Sequence, residues 1–525
     1  MRKFYLLGVL SFSIFLLKAQ TLELAKDINP GTANSNISYL DIGLLHDMIL
    51  FSAMNSEVGR EVFVVKNDSV SLLKDISEGP GGSNPGGFFN FKNEIYFFAA
   101  HNNKLEIWKT DGTEEGTVSV IDFEGSTFIY NDVFIVSRDD HFYFTRNDRI
   151  YISDGTQDNT FEIPDSPEIT FQQDFPFTTL NVDRFQEGIA FVIDQDTAFQ
   201  LFSAQDSTVE LLGTIQVSSQ NSFSVLGPFE VISGLVLAVR DGSGLVGDLY
   251  LYDKTTGLIE KYSETTIVAD RVNRISESRL LITADNSCYA TNGTKSGTFK
   301  ILSTSAQPAT GDQLPFVRIG NVAIFHGGEP FMADLVNVTN GTTPGTRLVK
   351  NIPGNGISHF VAKEPYAFWI NDANFNGKPQ VWYADINSSG ATMLYEHPTT
   401  FDNVTYEIYP IGVTSKKIYF SAKLDDISGK EMYSLEHHLN LPTSIQDINV
   451  PFQCQITQDR QQASFKIYID GSHHGMIVHI HDLSGRLFSS ISANEGEWLR
   501  LPDSQGAYVI TIHTKEGELS RIIIQ

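Results

Sequence analysis

The residues best suited by type and spacing to hold a ligand are Asp372, Asn374 and Asn376, with Gly377 directly behind them. Oxygen-bearing side chains at alternate positions followed by a glycine open a calcium loop, because a hard cation collects several oxygens from one tight turn. Such a loop closes with a bidentate glutamate at its twelfth position; here that position is Tyr383. That mismatch favours an ordinary hairpin loop, and calcium is the one cofactor the sequence offers as an alternative. His479 and His481 are two apart, hence on one face of a strand, with His473 and His474 close by. They could capture zinc or copper, but no cysteine or carboxylate stands at a spacing that completes the site, which favours a solvated strand face. The sequence holds no Gly-x-Ser-x-Gly elbow, no His-Glu-x-x-His pair and no phosphate loop. Carboxylates are plentiful, yet no two are marked out by spacing as a general acid and base, so no catalytic residue is assigned.

Any site must then be assembled by the elements, and these repeat. A short apolar run recurs at Ile49–Ala53, Ile95–Ala99, Phe142–Thr145, Ile189–Ile193, Leu235–Val239, Leu280–Ala284, Val322–Phe325, Tyr366–Ile370 and Ile418–Ala422, at intervals of 42 to 52 residues. A period near 45 residues marks an array of supersecondary units. The runs are too short for helices and rich in β-branched and aromatic residues, so they read as strands. Neighbouring side chains of a strand point to opposite faces, and here both sets are apolar, so both faces are buried. One strand precedes each run, as in Gly87–Phe91, and two follow, as in Leu105–Trp108 and Ser71–Ile76. Four-stranded units buried on both faces at this period predict an all-β fold, a β-propeller of eight to nine blades, over residues 21–437. The last unit shows three strands. Leu22–Ile28 is expected to supply its fourth and clasp the ring, since Lys26-Asp27-Ile28 matches Lys74-Asp75-Ile76.

Between the third and fourth strands lies Trp108-Lys109-Thr110-Asp111-Gly112-Thr113-Glu114-Glu115-Gly116-Thr117, with copies at Ser153–Thr156, Thr291–Thr298 and Thr339–Thr346. Asp-Gly and Asn-Gly make hairpin turns because these residues tolerate positive φ. The second glycine, at 116, 297 and 345, is expected to occupy another such position. Ligand contacts on a rim of the ring are the functional reading of the motif, and turn chemistry is the plainer one. The string from Ile107 to Thr113 with Gly116-Thr117 resembles the E-L-W-x-x-D-G-T repeats of bacterial secreted proteins. Gly59-Arg60-Glu61-Val62-Phe63 and Gly429-Lys430-Glu431-Met432-Tyr433 resemble the start of the same repeat strand. The resemblance covers about residues 22 to 436. It implies a propeller-like fold and an extracellular location, with no single activity.

The two ends read as addresses. Arg2 and Lys3 precede an apolar stretch to Leu17, closed by Lys18, Ala19 and Gln20. This is the pattern of a secretory signal over residues 1–20, cut after Ala19 or Gln20, and it falls short of the roughly 20 apolar residues of a spanning helix. No transmembrane segment is expected after cleavage. Residues 438–447 read as a linker, and 448–525 as a small β-sandwich with turn signals between short strands. Ile480–Leu487, which includes Gly485 and Arg486, with Leu501-Pro502, Gly506-Ala507-Tyr508 and Arg521–Ile524, is similar to the C-terminal sorting domain of type IX secretion cargo. The family's Tyr-Pro-Asn-Pro-like opening is replaced by Val450-Pro451-Phe452-Gln453-Cys454. The resemblance implies the type IX machinery as a partner and the surface or medium of a diderm bacterium as the destination.

Lys and Arg number 37 against 63 Asp and Glu, a net charge of −26. Such a surface repels nucleic acid and anionic membrane. The two cysteines, Cys288 and Cys454, fall in different domains, which excludes a disulfide framework. The reading as a whole is a monomeric, secreted or cell-surface interaction module for a glycan, peptide or protein. An extracellular polysaccharide hydrolase or lyase and a structural surface protein are the alternatives.

Overall fold

The computed structural model describes residues 21–439 apart from the stretches 39–40, 124–133, 170–181, 196, 218–222, 242–246, 263–266, 268, 277, 285–286, 303–315, 328–333, 353–356, 358–359, 372–377, 399–406 and 425–428, together with seven strands between 454 and 524. The chain divides into two compact units, Met1–Leu441 and Pro442–Gln525.

Among the described residues of the first unit there are nine four-stranded antiparallel sheets. Blades 1 to 8 are sequential meanders over residues 42–74, 86–123, 135–162, 182–216, 223–261, 269–302, 316–352 and 361–396. Blade 9 takes three strands from residues 407–436, and its outermost strand is Leu22–Lys26. Leu22 lies opposite Leu435 and Leu24 opposite Tyr433. The ring is thus a nine-bladed propeller closed by a strand from the other end of the chain, as the Lys-Asp-Ile match led us to expect. Each first strand ends its sheet on the side away from the outermost strand, and the first strands of blades 1, 2 and 3, of blades 4, 5 and 6, and of blades 7, 8 and 9 approach one another.

The apolar runs form the second strand of every blade, and their alternation explains the ring. Ile49, Phe51 and Ala53 of blade 1 pack with Ile411, Tyr419 and Met432 of blade 9. Leu50, between them in sequence, packs on the other face with Ile95, Phe97 and Ala99 of blade 2. Tyr96 and Phe98, the alternate residues of blade 2, meet Phe142 and Phe144 of blade 3. Each blade is therefore filling for two interfaces, and a buried cluster occupies every interface around to Phe368, Ile370 and Val381 of blade 8 against Ile408, Ile418 and Phe420 of blade 9. The hydrophobic burial that stabilises the fold lies between sheets, with none of them buried on one face alone.

The outermost strands present nine sheet edges, and an unprotected edge invites pairing with another chain. In blades 1, 2, 4, 6, 7, 8 and 9 a register shift interrupts the pairing of the third and outermost strands, as between Val62 and Phe63 or Leu24 and Lys26. Such bulges twist the edge away from a partner. Blades 3 and 5 lack the bulge and have outermost strands of only three and four residues.

In the second unit the order is Cys454–Asp459, Ser464–Ile469, Trp498–Arg500 in one sheet, and Leu487–Ala493, Met476–Asp482, Ala507–His513, Glu518–Ile524 in another.

Candidate functional site

The turn motif is a compact hydrogen-bonded unit that repeats almost bond for bond. In blade 2 the hydroxyls of Thr110 and Thr117 lie 2.8 Å apart across the hairpin, and Gly112 N–H donates to Thr110 Oγ1 at 2.9 Å. Asp111 Oδ1 accepts from the N–H and hydroxyl of Thr113 at 2.9 and 2.7 Å, which holds its carboxyl below the usual range. The same bonds recur from Ser153 to Thr160, Thr291 to Thr298 and Thr339 to Thr346. Gly112, Gly155, Gly293 and Gly341 have φ of +82°, +90°, +81° and +78°, the left-handed region that glycine favours. The second glycine differs from expectation, since Gly116, Gly297 and Gly345 are not left-handed. They are small because a Cβ at Gly116 would fall 2.2 Å from Asp111 Oδ1, and one at Gly345 1.9 Å from Asn340 Oδ1. In blade 3 the position holds Asn159, whose Nδ2 instead donates to Asp154 Oδ2 at 2.8 Å.

These turns are gripped by the preceding blade. Lys66 Nζ donates to Gly112 O at 3.0 Å, Lys74 Nζ to Thr117 O at 2.8 Å, Lys92 Nζ to Asp154 O at 2.9 Å and Arg279 Nη1 to Gly341 O at 2.9 Å. A second lock is a glutamate at or near the start of the third strand. Glu61 is fully buried; its carboxylate accepts from Ile76 N, Ser77 N and Ser83 N at 3.2, 3.1 and 2.7 Å, and from the Ser83 hydroxyl. It pins the connection between blades 1 and 2. Glu431 does the same for the clasp, accepting from Ile28 N at 2.7 Å and Asn29 N at 3.2 Å. Burial raises the pKa of both carboxyls, with the hydrogen bonds opposing it. A third lock joins three blades: Asp47 of blade 1 accepts from Lys363 Nζ of blade 8 at 2.6 Å and from Ser415 N and Oγ of blade 9 at 2.7 Å each.

The axis is the remaining place where chemistry could gather. The strand registers put one residue of each first strand at an equivalent level: Leu44, Asn90, Ser137, Arg184, Glu230, Arg274, Arg318, Ala362 and Val413 for blades 1 to 9. Several reach back to the main chain of the blade before. Asn90 Nδ2 donates to Leu44 O at 3.0 Å, Ser137 Oγ to Asn90 O at 2.8 Å and Arg274 Nη1 to Glu230 O at 2.6 Å. Arg274 also pairs with Asp183, whose Oδ2 accepts from Glu230 N at 2.9 Å. Glu230 Oε1 accepts from Gln186 N at 3.0 Å. Burial raises the Glu230 pKa, the Gln186 N–H opposes it, and the Asp183 charge adds to it. These two carboxylates are spent on backbone and guanidinium groups that tie blades 4, 5 and 6 together.

Asp372, Asn374 and Asn376 lie outside the described residues. The strands on either side, Tyr366–Asn371 and Gln380–Asp385, pair as a hairpin with Asn371 opposite Gln380. Gly485, Arg486 and Gly506 are also outside the described residues, as are His473 and His474. Tyr508 stands in Ala507–His513, opposite Ile523 on one side and Asp482 on the other. His479 and His481 are in Met476–Asp482, opposite Thr511 and Val509. Among the described residues no three His, Cys, Asp or Glu side chains gather closely enough to hold a metal ion. Cys288 is buried in blade 6, and burial pushes its thiol up to about 12. The axial residues were not singled out from sequence, although in blades 1 to 5 each stands five residues ahead of its apolar run.

The class is that of a nine-bladed β-propeller. No protein-family model matches the chain, and no curated protein matches it. Solved structures resemble it distantly. A eukaryotic initiation factor matches at 10% identity with a TM-score of 0.44, covering 72% of this chain and 91% of its own. The Dos1 propeller matches at 12% identity and 0.36, covering 79% and 95%. Puromycin hydrolase matches at 11% and 0.31, covering 66% of this chain, which spans only 60% of the hydrolase.

Proposed function

We propose that this chain is a secreted or cell-surface interaction module whose propeller axis receives an extracellular peptide, glycan or protein. In this reading residues 1–20 direct it through the inner membrane, and residues 448–525 form a small sandwich that addresses it to type IX export. One observation carries the binding reading. The recurring motif residues are consumed in locking blade to blade, while the first strands keep one edge unpaired around the axis. An unpaired edge is a ready recognition surface for backbone hydrogen bonding. The test is a peptide and glycan array with the mature full-length chain, followed by product analysis of any hit. Binding without turnover is the expected result, and turnover of a bound glycan would replace this reading with the hydrolase or lyase. For the route, deletion of residues 448–525 is expected to retain the protein in the periplasm. Undiminished release would sink the type IX assignment.

A further inference from the structure

Four Asn-Gly pairs stand in the sequence, at 292–293, 340–341, 355–356 and 376–377, and the last two lie outside the described residues. The first two occupy the Asp-Gly position of the repeated turn, in blades 6 and 7. An asparagine before glycine is prone to lose its side-chain amide, because glycine has no Cβ to crowd the backbone nitrogen. The Gly nitrogen attacks the Asn Cγ, its N–H proton leaves with the amide nitrogen as ammonia, and a cyclic succinimide remains. Water then opens the ring at one carbonyl to give aspartate, or at the other to give isoaspartate. One water enters and one ammonia leaves, with no other reactant.

In both turns the reacting groups are held in other bonds. Gly293 N–H donates to Thr291 Oγ1 at 3.1 Å, and Gly341 N–H to Thr339 Oγ1 at 2.9 Å. Both glycines are buried. Asn292 Oδ1 accepts from the N–H and hydroxyl of Thr294 at 3.1 and 2.8 Å, and Asn340 Oδ1 from those of Thr342 at 3.1 and 2.7 Å. Each turn is also seated on the blade before it. A Cβ at Gly293 would fall 2.7 Å from Val231 Cγ2 and 2.8 Å from Ser233 Oγ of blade 5. One at Gly341 would fall 2.7 Å from Arg279 Cδ of blade 6, whose Nη1 grips Gly341 O at 2.9 Å. The nitrogen is free to close on Cγ only when the turn lifts from this seat. A reaction confined to an open form runs at its free rate times the open fraction.

The two products differ in fit. Asp111 and Asp154 occupy the same place in blades 2 and 3 and accept the same bonds from Thr113 and Thr156, so aspartate is accommodated. Isoaspartate routes the main chain through Cβ and Cγ, which adds an atom to a turn that has no room for a Cβ at its glycine.

We infer that Asn292 and Asn340 are sites of spontaneous conversion to aspartate and isoaspartate, gated by lifting of the blade 6 turn from blade 5 and of the blade 7 turn from blade 6. The chemistry is independent of what the axis binds.

The experiment incubates the mature full-length chain at neutral pH and follows both sites by peptide mapping with mass spectrometry, the isoaspartate form being separated by chromatography. Synthetic peptides of residues 286–300 and 334–348 give the ungated rates. Conversion at each site of the chain is expected to be at least about ten-fold slower than in its peptide, as an open fraction below about a tenth requires. Thr342→Val removes the hydroxyl that donates to Asn340 Oδ1. It should speed Asn340 several-fold while Asn292 in the same chain keeps its rate, and Thr342→Ser should retain the natural rate. Thr294→Val should do the reverse. Arg279→Ala, which frees Gly341 O, should also speed Asn340. Asn340→Asp should melt like the natural chain, and the aged chain bearing isoaspartate should melt lower. Circular dichroism establishes that each variant folds. Equal rates in chain and peptide, equal acceleration of both sites by either valine variant, or indifference of Asn340 to Arg279→Ala overturns the gating. An Asn340→Asp chain that melts as low as the isoaspartate-bearing one overturns the difference in fit.

Discussion

Gly112 and Gly116 are four residues apart in one turn, yet each is glycine for its own reason. The first has φ +82°, and a Cβ there would also strike Met48 Sδ at 2.3 Å. The second has ordinary backbone and simply leaves room for Asp111. Gly116→Ala must then push the Asp111 carboxylate off its bonds to Thr113, and a loss of roughly 1–3 kcal/mol is expected, the usual cost of overpacking. The double variant Gly116→Ala with Asp111→Ala should recover most of it, and melting temperatures of the two decide the matter. The turn itself was legible because Asp-Gly and Asn-Gly carry a local conformational signature. The role of Gly116 was not, because its constraint is a side chain five residues back, which spacing alone does not reveal. His437 supplies a pH dependence at this same scale. It is 5% exposed, its Nε2 lies 3.1 Å from Thr414 O, and its ring packs on Phe368 with centroids 5.9 Å apart. Burial lowers its pKa below 6.5, and the nearby Lys363 and His438 charges lower it further, against the Thr414 bond and Asp47. A proton therefore binds the unfolded chain more readily. The stability contributed by neutral His437 is complete above pH 6.5 and is lost as pH falls from there through the folded-state value. Melting temperatures from pH 7.5 to 5.5 should drop more for the natural chain than for His437→Gln. Parallel curves would count against this account.

At the scale of elements, the blade-to-blade connection is the unit that strand prediction leaves out. Lys26-Asp27-Ile28 and Lys74-Asp75-Ile76 match in sequence, and both end on a buried glutamate of the third strand. The match was visible in the sequence; the partner was not, since Glu431 bonds to Ile28 across 403 residues. Replacing Glu61 by Ala leaves the Ile76 and Ser77 N–H groups without their acceptor, at roughly 1–3 kcal/mol each if they stay buried. Ser83 N–H retains Arg60 O at 3.0 Å. The expected outcome is a drop in global stability with the fastest rise in amide exchange confined to residues 76–83. A uniform rise over blades 1 and 2 would mean that the glutamate supports the core and does not pin the connection. The apolar runs, by contrast, are legible as doubly buried strands, because alternation along one strand is a local property with a fixed geometric meaning. The axial residues escaped because polar side chains on a first strand look the same in sequence as polar side chains on any solvated edge.

For the whole molecule, the decisive feature is that closure depends on five residues from the opposite end of the chain. Leu22–Lys26 pairs with Glu431–Glu436, Leu22 packs in the cluster between blades 8 and 9, and Ile28 packs in the cluster between blades 9 and 1. Removing residues 21–28 should therefore damage two interfaces at once and bare the edge of Glu431–Glu436, including the buried Leu435. The cost is expected to be on the order of 3–5 kcal/mol, comparable to deleting a large core side chain. The bared edge should also promote association between chains. A synthetic peptide of residues 21–29 supplied in trans would complete the ninth blade by strand addition. It should raise the melting temperature of the shortened chain in a concentration-dependent way and return it to a monomer in sedimentation. The same peptide with Leu22 and Leu24 replaced by Asp, or with Ile28 replaced by Asp, should do neither. If the shortened chain melts like the natural one, the ring does not depend on its clasp, and the eight sequential blades with three strands of the ninth suffice.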